Sequence, residues 1–189
     1  MARRIAIIGN AGGGKSLWAH RVGGALGIPV HVVDNVQWQP GWTRATPELV
    51  RATHAAWLAE PAWIIDGWGP WDDISARFAL ADLIVVPDYP LAQHRTWAIQ
   101  RQAEVERGER RDWPPPGCDA SSLTDELLAL IDLVESDFMP RLREMLQSVA
   151  YKAVRARSPE ALDGVARSLE VGRWPVQNIG EQPASTHRS

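Results

Sequence analysis

Residues 9–16 form the part of the sequence whose residue types and spacing most directly indicate a chemistry. They match the pattern G-x-x-x-x-G-K-[ST] at every fixed position and follow the apolar run 5–8. Glycines let the backbone wrap closely around an anion, which the N-terminus of a following helix then faces. Lys15 would contact the β- and γ-phosphates of a nucleotide, and the Ser16 hydroxyl would ligate Mg²⁺. The pattern therefore predicts binding of ATP and Mg²⁺ by Gly9, Asn10, Ala11, Gly12, Gly13, Gly14, Lys15 and Ser16.

Three apolar runs end in or at an aspartate, a residue type that can hold Mg²⁺ or accept a proton. Asp66 ends one run beside the phosphate loop and is the candidate ligand of Mg²⁺. Asp34 lies on the loop that would lead to an acceptor, so it is the candidate general base or acceptor ligand. The alternative for Asp34 is a helix cap or a turn acid. Asp88 precedes a Tyr-Pro pair and is better explained as a turn residue.

Arginines are expected around a transferring phosphoryl group because negative charge spreads over its oxygens. The candidates lie before, within and after one long loop, at Arg101, Arg110, Arg111 and Arg141. For each of them a solvated surface charge is the alternative, but as a group they favour a lid. A nucleic-acid contact is disfavoured because acidic residues interleave with them, at Glu104, Glu106, Glu109 and Asp112.

The long loop spans residues 108–121 and contains Trp113 and three consecutive prolines. It is longer than most connections within a compact domain, and loops of this length are usually lids, binding loops or disordered segments. Few aliphatic residues are present to anchor it. We therefore predict that about 108–121 form a mobile lid.

Short apolar runs alternate with helical patterns along the chain, which is typical of βαβ units around a parallel sheet. Near-continuous apolar runs predict strands that are buried on both faces. The last run alternates more, which predicts an edge strand. The predicted strands are 4–8, 30–33, 63–65, 83–86 and 151–156.

Capping residues indicate where helices begin and end. Thr46 and Ser158, each followed by Pro-Glu, predict helices over 47–59 and 159–169. Ser122, with Asp125 three residues later, resembles a capping box that opens a helix towards residue 138. Pro140 would kink or restart that helix. Further helices are predicted over 15–26, stopped by a glycine, and over about 91–107.

Composition limits the class of protein. A net charge of −3 and a pI near 5.9 give no reason to expect nucleic acid or an anionic membrane as the main partner. The single cysteine, Cys118, allows no intrachain disulfide, which fits a reducing compartment. No run approaches the ~20 apolar residues of a membrane span, so we predict a soluble cytoplasmic protein. The signatures of GTPases and of transporter ATPases are missing from the sequence.

Tryptophan is unusually frequent, with ten residues, of which eight lie between Trp38 and Trp113. Core packing explains such residues in most proteins. Aromatic side chains also give a ligand a large contact area at low entropic cost. A few of these tryptophans are therefore candidates to line an acceptor pocket.

Several segments together resemble the bacterial "DNA topology modulation" FlaR-like proteins, which belong with the adenylate kinase-related P-loop kinases. The resemblance covers about 4–169 and is carried by the phosphate loop and by 27–30, 33–34, 38–42, 63–67 and 140–141. It implies a three-layer α/β P-loop NTPase fold, with a five-stranded parallel sheet of order 2-3-1-4-5 and flanking helices. It also implies an acceptor-binding segment after the second strand, at about 34–62, and an arginine-bearing lid before the last strand.

By position, the resemblance implies roles for individual residues. Asp34 matches the acceptor-binding acid of shikimate- and gluconate-type kinases. Leu17 stands where a hydroxyl residue usually follows Lys-Ser at the phosphates, and Arg157 occupies the turn that borders adenine. Asp66 and its following glycine match the Asp-Gly of nucleoside monophosphate kinases. In this sequence 68–71 replace the Pro-Arg with which those kinases grip their acceptor nucleotide.

These observations predict a single kinase-like domain over 1–171 and a polar, disordered tail over 172–189. The predicted function is transfer of the γ-phosphoryl group of ATP to an unidentified small-molecule acceptor: a nucleotide, a nucleoside or a hydroxyl metabolite. The rival interpretation is a nucleotide-binding regulator with little turnover that affects DNA topology indirectly. Neither direct nucleic-acid binding nor membrane association is expected, and the oligomeric state is left open.

Overall fold

A five-stranded parallel sheet forms the centre of the computed structural model, which describes residues 3–110 and 113–173. The strands are β1 (Arg4–Ile7), β2 (Val30–Val32), β3 (Trp38–Gln39), β4 (Thr43–Arg44), β5 (Trp63–Asp66), β6 (Leu83–Pro87) and β7 (Ala153–Ala156). Strands β3 and β4 form a separate antiparallel hairpin, and the other five form the sheet in the order β2-β5-β1-β6-β7. Counted along the chain without the hairpin, this order is 2-3-1-4-5, which confirms the predicted fold class and the edge position of the last strand.

Eight α-helices lie within the described residues. They are α1 (Lys15–Leu26), α2 (Asp34–Gln37), α3 (Pro47–Ala59), α4 (Trp71–Leu80), α5 (Leu91–Glu106), α6 (Thr124–Leu133), α7 (Met139–Gln147) and α8 (Pro159–Glu170). Between α6 and α7 the chain makes a π-helical turn over Val134–Phe138, and Pro140 lies in the first turn of α7. At the predicted kink or restart, the chain therefore stays helical and changes from π-helical to α-helical just before Pro140.

The sheet is covered on both faces because its strands are apolar on both sides. Alternate residues of β1 show this, since Ile5 and Ile7 pack against α1 and α8 while Ala6 packs towards α4 and α7. All residues of β1 after Arg4, and all of β5 and β6, are buried. The result is the three-layer arrangement that the sequence predicts.

Two of the predicted helix caps are confirmed, and one is wrong. The Thr46 side chain accepts a hydrogen bond from the Leu49 amide at 3.3 Å, and Ser158 accepts one from the Ala161 amide at 3.2 Å. Ser122 has a φ of 67°, and α6 begins two residues later without a side-chain cap. The capping-box prediction failed because an N-cap residue normally has extended backbone, which a left-handed residue lacks.

The described residues end at Arg173, just after α8. The predicted tail beyond that residue lies outside the described part of the chain, as does the lid candidate Arg111. Over residues 3–110 and 113–173, no helix is both long and apolar enough to cross a bilayer.

Candidate active site

The register of the sheet brings the ends of three strands to one edge. Asp66, the last residue of β5, is paired with Ile7 of β1 and with Val32 of β2. The Val33 amide also donates a hydrogen bond to the Asp66 carbonyl at 2.9 Å. The phosphate loop after β1, the segment at Asp34 and the Asp66 carboxyl group therefore lie side by side, where ligands bind in open parallel sheets.

The phosphate loop needs glycine at positions where the chain passes close to its neighbours. Gly12 and Gly14 have φ of 70° and 72°, in the left-handed region. A Cβ atom on Gly12 would collide with the backbone carbonyl of His94. A Cβ atom on Gly9 would lie 2.8 Å from the Pro87 carbonyl oxygen. The loop is thus packed tightly against the end of β6 and the start of α5.

Two buried polar side chains, Asn10 and His94, hold the phosphate loop in place by hydrogen bonds. Asn10, fully buried, donates to the Ile131 carbonyl at 2.9 Å and accepts from the Ala11 amide at 2.8 Å. The His94 Nδ1 atom lies 2.9 Å from the Ala11 carbonyl oxygen, so the neutral ring donates its proton there. Burial lowers the pKa of His94, which favours this neutral form. The sequence carries no signal for His94, because the contact joins residues that are distant along the chain.

Lys15, Ser16 and Asp66 form a compact polar cluster in front of the loop. The Lys15 Nζ atom donates to the Asn10 carbonyl at 2.9 Å, and the Ser16 hydroxyl donates to Asp66 Oδ2 at 2.6 Å. Burial lowers the pKa of Lys15, against the attraction of Asp66 and Asp34. Burial also raises the pKa of Asp66, against the attraction of Lys15 and the hydrogen bond from Ser16. The structure thus brings together the three residues predicted to serve phosphate and metal.

The donor set of this cluster fits Mg²⁺. Asp66 is 2% exposed, and its Oδ1 atom has no hydrogen-bond partner among the described residues, so one buried carboxylate oxygen is available. Within the described residues no group of three His, Cys, Asp or Glu side chains could hold a metal. Mg²⁺ is usually held by one or two protein oxygens together with water and substrate phosphates. Ser16 and Asp66 supply that kind of set.

Asp34 interacts electrostatically with Lys15 and Asp66 of this cluster. It is the first residue of α2, and neither it nor Val33 makes a side-chain cap there. Burial and the charge of Asp66 raise its pKa, against the attraction of Lys15 and Arg101. The structure therefore brings Asp34 near both the phosphate-loop lysine and one arginine of the predicted lid.

A cavity of about 420 Å³ opens beside the phosphate loop. Its walls come from the loop, the start of α1, the middle of α5, the start of α8 and the residues Arg110 and Trp113. The predicted residues Leu17, Arg101 and Arg110 line it together with Lys15 and Ser16. Arg101 lies over the Trp113 ring at 4.6 Å from its centroid, and Arg110 pairs with Glu104 at 3.0 Å.

Three other predicted or considered residues lie elsewhere. Arg141 is exposed on α7, where its guanidinium lies 4.2 Å from the centroid of the Trp71 ring. Arg157 is exposed after β7, two residues before Pro159 of the cavity wall. Asp88 is engaged with Arg143 and Arg155; although burial opposes it, their hydrogen bonds lower the pKa of Asp88. Asp88 is therefore an ion-pairing residue just after β6, outside the Lys15–Ser16–Asp66 cluster.

Besides His94, sequence reasoning missed Trp68 and Arg77, which also shape the site. The Trp68 indole donates to the Gly9 carbonyl at 2.9 Å, and so ties the end of β5 to the start of the phosphate loop. Arg77, fully buried, donates to the Gly67 and Trp68 carbonyls at 2.7 and 2.9 Å. In the sequence, the only signal for these contacts was that 68–71 depart from the Pro-Arg that follows Asp-Gly in nucleoside monophosphate kinases. Arg77 gave no signal, because an arginine on a helix is usually exposed.

The predicted lid and the predicted acceptor segment contact each other. The Gly41 amide donates to the Gly117 carbonyl at 3.0 Å, and the Trp42 indole donates to the Asp119 carbonyl at 2.6 Å. The Cys118 thiol lies 3.4 Å from the Gln39 carbonyl oxygen. The β3–β4 hairpin therefore holds the described end of the lid segment, while the mobility of the lid stays a prediction.

We expect Trp42→Phe to loosen the lid segment without unfolding the protein. The change removes one hydrogen bond to the Asp119 carbonyl and keeps an aromatic ring, so local opening should become about 5-fold more frequent. Amide hydrogen exchange over 113–121 would measure this. Trp57→Phe is the control, because Trp57 stacks on His31 away from the hairpin. Equal exchange in the two variants would show that the hairpin does not restrain the lid.

Comparison with known proteins bears on the fold. No protein-family model matches the chain, and no curated protein matches it. Among solved structures, a shikimate kinase from Acinetobacter baumannii in complex with shikimate aligns with a TM-score of 0.50 and 12% identity, over 89% of this chain and 92% of the other. A shikimate kinase from Bacteroides thetaiotaomicron aligns with a TM-score of 0.50 and 14% identity, over 90% and 98%. The chain therefore has a P-loop kinase fold: a parallel five-stranded α/β sheet with flanking helices.

Proposed function

We propose that this protein is an ATP-dependent kinase that transfers the γ-phosphoryl group to a small molecule bearing a hydroxyl or phosphate acceptor. The observation that carries the proposal is that the Lys15–Ser16–Asp66 cluster and a second carboxyl group, the half-buried Asp34, lie at one sheet edge. A loop that only binds nucleotide needs the first cluster alone. A second carboxyl group beside it is what a transfer reaction to a hydroxyl requires.

In this proposal the phosphate loop binds the ATP phosphates. The amides from Gly12 to Ser16 and the N-terminus of α1 face the anion, and the Lys15 ammonium contacts the β- and γ-phosphates. Ser16 and Asp66 would hold Mg²⁺, which neutralises phosphate charge when it is bound. Asn10 and His94 support the loop so that its amides keep their direction.

Asp34 acts as the general base in the proposed transfer. Its carboxylate takes the proton of the acceptor hydroxyl as the acceptor oxygen bonds to the γ-phosphorus. The bond between that phosphorus and the β–γ bridging oxygen breaks, and ADP leaves. The raised pKa of Asp34 supports the role, because a more basic carboxylate accepts a proton more readily.

Arg101 and Arg110 are the proposed lid arginines, since both line the cavity beside Lys15. Their charge would stabilise the negative charge on the transferring group. Arg111 belongs to the same proposal from the sequence alone. Arg141 and Arg157 would need to move from their present positions to take part.

The narrower proposals follow from the resemblance. They are membership of the FlaR-like kinases, one domain over 1–171, an acceptor segment over about 34–62 and a lid over about 108–121. The identity of the acceptor is decided in that segment and in the loop from Gly67 to Pro70. Because Trp68 replaces the proline of the nucleotide-gripping pattern and no arginine follows it, the proposal favours a hydroxyl metabolite over AMP.

An ADP-release screen tests the proposal. The purified protein would be incubated with ATP and Mg²⁺ and with panels of nucleoside monophosphates, nucleosides, sugars and hydroxy acids. We expect release to rise with one acceptor class and to stay at background with Lys15→Ala. Slow, acceptor-independent hydrolysis across all panels would contradict a kinase and support a nucleotide-binding regulator.

A further inference from the structure

Tyr89 is a buried side chain in the cavity wall whose polar group is unsatisfied. It follows β6, it is 4% exposed, and it lines the cavity beside the phosphate loop. Its hydroxyl group has no hydrogen-bond partner among the described residues. Leaving a buried hydroxyl group without a partner costs free energy, so a partner supplied by a ligand would be favourable.

The ring of Tyr89 belongs to an aromatic cluster beside the last glycine of the loop. It stacks on His94 with ring centroids 5.3 Å apart and meets Trp97 edge to face at 5.7 Å. Trp97 is half-buried and lines the same cavity. A Cβ atom on Gly14 would lie 3.9 Å from the Trp97 ring. The cluster therefore borders the phosphate-binding part of the cavity directly.

The rest of this end of the cavity is mainly apolar. Leu17 of α1, and Pro159 and Leu162 at the start of α8, form the wall with the two aromatic rings. The charged residues that line it there, Arg21 and Asp163, are paired with each other. The nearby charge of Glu160 adds to burial in raising the pKa of Tyr89, so the phenol stays neutral. The ligand group that fits is uncharged, planar and able to hydrogen-bond.

We propose that Tyr89 and Trp97 form the nucleobase subsite of the cavity, with the Tyr89 hydroxyl hydrogen-bonded to the base and Trp97 packed against it. The inference rests on the proposed function, because it concerns the nucleotide of that reaction. It assigns recognition of the base to the segment after β6 and to α5. The end of β6 and the start of α5 also support the phosphate loop, through Pro87 and His94.

Binding measurements with two ligands test the subsite. Calorimetry would compare Mg²⁺–ATP with Mg²⁺–tripolyphosphate, which has the phosphates and no nucleoside. We expect Tyr89→Phe to weaken ATP binding about 3- to 10-fold and to leave tripolyphosphate binding unchanged. Tyr151→Phe, at the only other tyrosine and 66% exposed, should change neither. Equal affinity of Tyr89→Phe and the unaltered protein for ATP would overturn the subsite.

Further measurements distinguish a base contact from a ribose contact and from general damage to the cavity. Trp97→Leu should weaken ATP binding and Trp97→Phe should largely restore it, again with tripolyphosphate unchanged. The Tyr89→Phe loss should be the same with 2′-deoxy-ATP; a loss that disappears with this analogue would assign the contact to the ribose and overturn the base contact. Loss of both ligands by Tyr89→Phe and by Trp97→Leu would also overturn it. An unaltered protein that binds neither ligand would overturn the proposed function itself.

Discussion

We expect Lys15→Ala to abolish measurable ATP binding while the protein stays folded. Lys15 is the only lysine of the loop. Its ammonium group is attracted by Asp66, which is hydrogen-bonded to Ser16 and is proposed to hold the metal with it. Its loss removes charge-assisted hydrogen bonds to the β- and γ-phosphates, which should weaken binding by about 100-fold or more. Calorimetry with Mg²⁺–ATP would measure the change in dissociation constant.

The fold should tolerate this change because two effects oppose each other. Burial lowers the pKa of Lys15, which means that keeping this side chain charged lowers the stability of the folded protein. Its attraction to Asp66 and Asp34 recovers part of that cost. Removing the side chain removes both effects, so the melting temperature should change little.

The chain contains a matched control, because Lys152 is its only other lysine. Lys152 is buried and donates to the Ala79 and Ala81 carbonyls at 3.1 and 2.9 Å. Lys152→Met leaves those carbonyls unpaired, so it should lower the melting temperature and keep ATP affinity. If Lys15→Ala bound ATP as tightly as Lys152→Met, the phosphate-loop assignment would be wrong.

Much of the fold was predictable because the sheet strands are continuous apolar runs and the helices have local caps. The predicted bounds of α1 and of α3 agree with the structure. The sequence analysis did not identify α4, whose periodicity is interrupted by the buried Arg77. The hairpin strands β3 and β4 have only two residues each, which is too short for any periodic signal.

The site was predictable only where a local motif or a strand end defines it. The loop motif predicts Lys15 and Ser16, and the rule that ligands collect at strand ends predicts that Asp34 and Asp66 approach them. His94 and Tyr89 were not predictable, because their roles depend on where α5 packs against the loop. Arg141 shows the reverse case, since its position in the sequence fits a lid while the structure places it over Trp71.

The two carboxyl groups of the site should separate into two functions when each is changed to an amide. Asp66→Asn should weaken Mg²⁺-dependent ATP binding, because an amide oxygen has no charge to offer the metal. Asp34→Asn should keep ATP affinity and lower kcat by about 100-fold or more, because the proton acceptor is lost. Titration of ATP with and without Mg²⁺, and steady-state rates with the acceptor from the screen, would measure these effects.

The dependence on pH gives the sharper distinction. Burial and Asp66 raise the pKa of Asp34, so the folded protein binds that proton more tightly than the unfolded chain does. The stabilisation from Asp34 is therefore fully present below its pKa in the unfolded chain, and it is lost as the pH rises through its higher pKa in the folded protein. At neutral pH the ionised Asp34 carboxylate thus destabilises the protein. Activity changes in the opposite direction, because the base must be ionised to accept a proton. Asp34→Asn should thus raise the melting temperature at neutral pH and remove the acid limb of kcat/KM. If Asp34→Asn instead lost ATP affinity as severely as Asp66→Asn, Asp34 would serve nucleotide binding and not the acceptor.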